Sequence, residues 1–160
     1  MHLFCKNIIP NLVDLWMGHF KLFPNKGTGP YEIPSTIWVK IAQETTEVVK
    51  DIPSAFVSSI PDLIKGRKLW TADIWTFWFM YIAPIVLHNR FQDNKYYDRM
   101  CDLITIMDMT LQFEITNTEL KDLCSHIIKW VETYKEFYYQ YNVMHLPACL
   151  LVIHGGVVYW

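Results

Sequence analysis

Apolar residues recur along this chain every three or four positions, the period of a helix, and no series of strand-like alternation is present. The densest apolar stretch, residues 70–87, reads WTADIWTFWFMYIAPIVL. Thr71 can cap a helix there, and Asp73 places negative charge in a first turn whose backbone N–H groups are free. Behind them Trp75, Trp78, Phe79 and Ile82 keep helical spacing, and nearly every position from 74 to 87 is apolar. A helix with so little polar face belongs in a core or a membrane. The run falls short of the roughly 20 apolar residues of a bilayer span, and His88, Asn89 and Arg90 close it. It therefore reads as a buried core helix, with Pro84 expected to kink or break it near Tyr81.

The flanking segments each carry an apolar face. Residues 3–20 place Ile8, Ile9, Leu12, Val13, Leu15 and Trp16 on an amphipathic helix that Pro10 either restarts or kinks. Asn25, Gly27, Gly29 and Pro30 predict a loop over 24–34. Ser35 reads as the cap of a second helix, with Ile37, Trp38, Ile41 and Val48 inward, ending before Asp51-Ile52-Pro53. Pro53, Pro61 and Gly66 predict irregular chain over 52–68, with one turn around 54–57. Residues 93–113 read as a helix faced by Tyr96, Met100, Leu103, Met107 and Leu111, widened by Tyr97, Ile104 and Ile106.

Thr116 and Glu119 then form a capping box, the hydroxyl accepting from the Glu119 N–H while the carboxylate reaches back. It opens the most regular helix, to about Tyr139, with Leu120, Leu123, Ile127, Trp130, Tyr134, Phe137 and Tyr141 on the inner side. A tail from His145 to Trp160 ends in Gly155-Gly156 and VVYW. The fold class expected is all-α: a single helical domain over 1–160, five or six helices around a central apolar one, with no internal repeat.

Composition narrows the function. With 14 basic and 16 acidic residues the net charge is -2, so the basic excess of an autonomous nucleic-acid binder is missing. Apolar residues make up 52% of the chain against 19% charged, which implies large buried or partner-covered surfaces. Cys5, Cys101, Cys124 and Cys149 are widely spaced among apolar neighbours and read as buried, reduced thiols of an intracellular protein. Cys124 and His126 do not have the spacing of a standard zinc-ligand pair. The start is not a signal peptide: it lacks a basic region, and Pro10, Asn11 and Asp14 interrupt its apolar run.

Several long words of the sequence carry a resemblance. MHLFCKNIIPNLVDLW at 1–16, IPSAF at 52–56, TADIWTFW at 71–78, YYDRMCDLI at 96–104, LQFEITNTEL at 111–120 and YYQYN at 138–142 resemble fungal DDE-type transposases of the Plavaka- and CACTA-like group. The match runs in order to about Ile153. It implies the helical segment inserted into an RNase H-like catalytic core, between the second catalytic aspartate and the catalytic glutamate. That aspartate would stand just before Met1, and the glutamate beyond Trp160, so neither falls within these residues. The family continues as a helix after Ile153-His154, whereas residues 155–160 do not, which marks an atypical tail.

What the resemblance implies is therefore a truncated, catalytically inactive remnant of a DDE transposase, ancestrally in DNA transposition, with a nuclear location. Intact relatives use Mg²⁺, two ions about 3.5–4 Å apart held by clustered carboxylates. No catalytic, cofactor or metal residue is assigned here. Asp73, Asp98, Asp102, Asp108 and Glu114 have no matching arrangement; Asp98 and Asp102 sit one turn apart but read as a solvated face beside Lys95 and Arg99. His2 matches the position beside the missing aspartate and reads as a frayed surface residue. His126, His145 and His154 suit acid–base work only by residue type, and Cys101, Cys124 and Cys149 have no nucleophile motif around them. The series Trp130, Tyr134, Phe137, Tyr138, Tyr139 and Tyr141 could stack bases, but only Lys129 and Lys135 interleave it, so it reads as core.

The alternative is a domesticated helical module that associates with itself or with a full-length transposase through exposed apolar surface. DNA binding is expected to be weak at most, and a membrane location is not expected.

Overall fold

Gly18 ends the first helix. In the computed structural model, which describes residues 4–20, 23, 29–53 and 60–149, a π-helical turn, Phe4–Ile8, leads into α1, Ile9–Trp16. Gly18 takes φ 66°, and the amides of Gly18 and His19 donate to the carbonyls of Leu15 and Asp14. This is a Schellman closure, which favours glycine at the left-handed position. The expected helix to Phe20 therefore stops at Trp16. Pro10 follows the π turn directly, and the wider winding there makes room for a ring that lacks an N–H.

α2, Ser35–Lys50, starts one residue earlier than expected: Pro34 is the cap position, and no side chain caps it. Trp38, Ile41, Ala42 and Thr45 are its buried face, while Ile37 and Val48 pack only partly. It ends before Pro53, as the proline rule requires. Residues 24–28 of the expected loop, and the turn expected at 54–57, lie outside the described residues, as do Met1, His2 and the tail over 150–160.

The apolar stretch forms α3, Ala72–Phe77, a π-helical turn, Trp78–Ile82, and α4, Ala83–Val86. Thr71 caps it by accepting from the Ile74 amide. The π turn accounts for Pro84: the ring offers no N–H to the Met80 carbonyl and would press on it. Widening the turn, with the Ala83 amide donating to the Trp78 carbonyl, makes room for the ring. Trp78, Phe79, Ile82, Ala83 and Leu87 are buried, yet Tyr81 and Ile85 point outward at 60% and 65% exposure. The centre is shared with α1, where Ile9, Val13 and Trp16 are fully enclosed.

α5, Lys95–Thr110, and α6, Asn117–Tyr134, form a helical hairpin, and a third π turn, Lys135–Tyr139, extends α6. The Trp130 indole donates to the Arg99 carbonyl and ties the two helices together. Gln140 and Tyr141 at positive φ turn the chain into a short 3₁₀ segment, Val143–Ala148. Three inward assignments fail: Leu111 is 41% exposed, Leu120 43% and Tyr141 71%. α5 ends at Thr110, which puts Leu111 past its last turn and leaves the first turn of α6 exposed, and Tyr141 lies past the helix end. The fold is all-α with six α-helices, no strand among the described residues, and one apolar cluster running from Phe4 to Ala148. Among those residues no helix is long and apolar enough to cross a membrane.

Candidate functional site

The acidic pair on α5 is engaged locally. Asp98 accepts from the Asn94 side chain at 3.0 Å, and Asp102 pairs with Arg99 at 2.6 Å. Lys95 sits 3.4 Å from Asp93 rather than beside Asp98. Among the described residues no three His, Cys, Asp or Glu side chains converge. Cys124 is half-buried and His126 exposed, two residues apart on α6, which points them to opposite sides of the helix.

The thiols divide. Cys5 is fully buried against the Thr76 hydroxyl at 2.8 Å, whereas Cys101, Cys124 and Cys149 are only half-buried, less enclosed than expected. Burial pushes the Cys101 and Cys149 thiols up, away from the nucleophilic thiolate. His145 stacks on Phe23 with ring centroids 4.6 Å apart. His154 lies outside the described residues.

The aromatic series is interior. Trp130, Tyr134 and Tyr138 are buried, with the Tyr134 ring packed at a tilt against each of the other two, so their faces are not open to a base. Burial pushes the Tyr134 and Tyr138 hydroxyls well above their ordinary value; Tyr134 donates to the Ala148 carbonyl.

The feature that sequence spacing does not reveal is a cleft of about 520 Å³ between the first helix and the segment before α3. Lys6, Pro10, Asp14 and His19 form one wall, and Ile64, Lys65, Arg67 and Lys68 the other, with Trp70 and Trp75 at its edge. The Arg67 guanidinium reaches Asp14 at 2.6 Å and holds the walls together. The Trp70 indole donates to the Pro61 carbonyl and packs on Trp75, with centroids 4.7 Å apart. Gly66 allows the turn between them: a Cβ there would lie 2.9 Å from the Pro61 Cβ and 3.0 Å from the Asp62 carbonyl oxygen. The Asp62 carboxylate accepts from the Ile64 and Lys65 amides and fixes that turn. Lys6, Lys65 and Lys68 are exposed, and none has an ion-pair partner among the described residues.

No family model, curated protein or solved structure matches this chain.

Proposed function

We propose that these residues are the helical insertion region of a DDE-type transposase, a supporting domain that stands between the segments carrying the carboxylates of strand transfer. The observation that carries this reading is where the resembling words meet. Cys5 and Trp16 from the first word touch Thr76 of the second helical word and Tyr138 of the last. Tyr96 of a further word packs against Tyr138, with centroids 6.1 Å apart. Words scattered over the sequence thus supply one core, as expected of a unit that folds together. A nuclear location follows from the same reading. The test is the genomic DNA on both sides of the frame. An aspartate codon just before Met1 and a glutamate codon downstream support the proposal; intact flanks without them overturn it.

A second reading, a module that associates with itself or with a full-length transposase, is favoured by the outer side of the α5–α6 hairpin. Leu111, Phe113, Ile115, Leu120 and Ile128 are exposed there, Phe113 completely. Lys121 and Glu132 lie about three turns apart on one side of α6, so an antiparallel copy would set each lysine against the partner's glutamate. Sedimentation tests it. A dimer broken by Lys121→Glu and restored by adding Glu132→Lys supports self-association; a monomer at all concentrations excludes it.

A further inference from the structure

We infer that the cleft between α1 and the segment 64–70 binds an oligophosphate group, such as the phosphate tail of a nucleotide or inorganic tripolyphosphate. This rests on the cleft alone and stands apart from the transposase reading. Four cations line it, Lys6, Lys65, Arg67 and Lys68, against the single carboxylate of Asp14. The ion pair takes Arg67 and Asp14 out of the balance and leaves three lysine ammoniums facing a concave site. The chain's net charge of -2 conceals this, because Asp14 is the one carboxylate among the residues that line the cleft. Like charges gathered in a cleft with low-dielectric walls focus the field and concentrate counter-ions of opposite sign.

The walls also define what is recognised. Trp70 and Trp75 border the cleft but are 3% and 4% exposed, so neither offers an open face on which a base could stack. Selection falls on charge, with lysines acting as point charges toward phosphate oxygens. The volume suits a small ligand.

The geometry is built rather than incidental. Lys6 comes from the first π turn and Lys65 and Lys68 from a turn closed by Asp62 and Gly66, while the Arg67–Asp14 pair sets their separation. The lysines themselves support no other part of the fold, so they can be changed without unfolding it.

The experiment is calorimetric titration of the full chain with tripolyphosphate, ATP and adenosine. Tripolyphosphate and ATP should bind with similar affinity and adenosine not at all. Lys65→Glu with Lys68→Glu should weaken both by at least about tenfold, the equivalent of 1.4 kcal/mol. Lys40→Glu with Lys129→Glu, the same change of charge at exposed positions of α2 and α6, should leave binding within twofold. Equal loss in the two double variants would mean non-specific attraction and overturn the site. So would absence of tripolyphosphate binding, or binding of adenosine alone. Unchanged circular dichroism of both variants keeps a folding defect from imitating the result.

Discussion

The Trp16 indole N–H donates to the Tyr138 hydroxyl at 2.8 Å, fully buried, joining the end of α1 to the last π turn. Each residue is within 2% of complete burial, and the Tyr138 ring also packs at a tilt against Tyr31, Tyr96 and Tyr134. Removing only the hydroxyl leaves the indole N–H unsatisfied in a medium without water. Tyr138→Phe should therefore cost about 1–3 kcal/mol, the desolvation of an orphaned donor, with the ring packing unchanged. Urea denaturation checks this, and a loss below about 0.5 kcal/mol would show that water reaches the indole.

Alkali should unfold the protein. Burial raises the Tyr31 hydroxyl to about 12 and pushes Tyr96, Tyr134 and Tyr138 upward as well. In the unfolded chain these phenols lose protons near pH 10. Between pH 10 and 12 the native state then binds more protons than the unfolded one, and stability falls as pH rises. Tyrosinate absorbance beyond that of the exposed Tyr81 and Tyr141 should appear in a cooperative step together with loss of helix. Gradual ionisation with the helix intact would place these phenols in solvent.

The capping box at the start of α6 should show in stability. Thr116 accepts from the Glu119 amide at 3.2 Å, and the Glu119 carboxylate accepts from the Thr116 amide at 2.8 Å. Those hydrogen bonds hold the Glu119 carboxyl below its ordinary value. Thr116→Ala should destabilise by about 1 kcal/mol, read from the denaturation midpoint. Thr116→Ser should retain most of that stability, because its hydroxyl can make the same bonds.

This box was legible from four consecutive letters because both its partners lie within one turn. The burial of Trp75 and Trp78 was equally legible from spacing. Other positions depended on what neighbouring elements do. Periodicity assigns Leu120 to the inner side of α6 but cannot show that α5 stops at Thr110, one helix end too early to cover it. The π turn before Pro84 was foreseen only as a kink, since spacing does not say whether the chain breaks or widens. The lysine cleft left no trace in the sequence. Lys6 and Lys65 are distant along the chain, and the Arg67–Asp14 pair that brings their segments together is a tertiary contact. The polar residue at the core, Thr45, was missed for the same reason: its hydroxyl faces the Trp78 indole, 3.2 Å away on another helix.

Strand cleavage by the two-metal route needs carboxylates arranged beforehand so that one ion activates water and the other stabilises the leaving oxygen. On α5 the nearest approach to such a set is Asp98 with Asp102, and each is already committed, one to Asn94 and the other to Arg99 at 2.6 Å. A cation binding there would have to displace a guanidinium from an exposed surface, where water competes for both. The purified chain should therefore leave supercoiled DNA and short duplexes intact in Mg²⁺ or Mn²⁺. Any DNA retention it shows should be weak and should fade as salt rises. Metal-dependent nicking that persists through purification and is lost in the Asp98→Ala, Asp102→Ala double variant would overturn the non-catalytic reading.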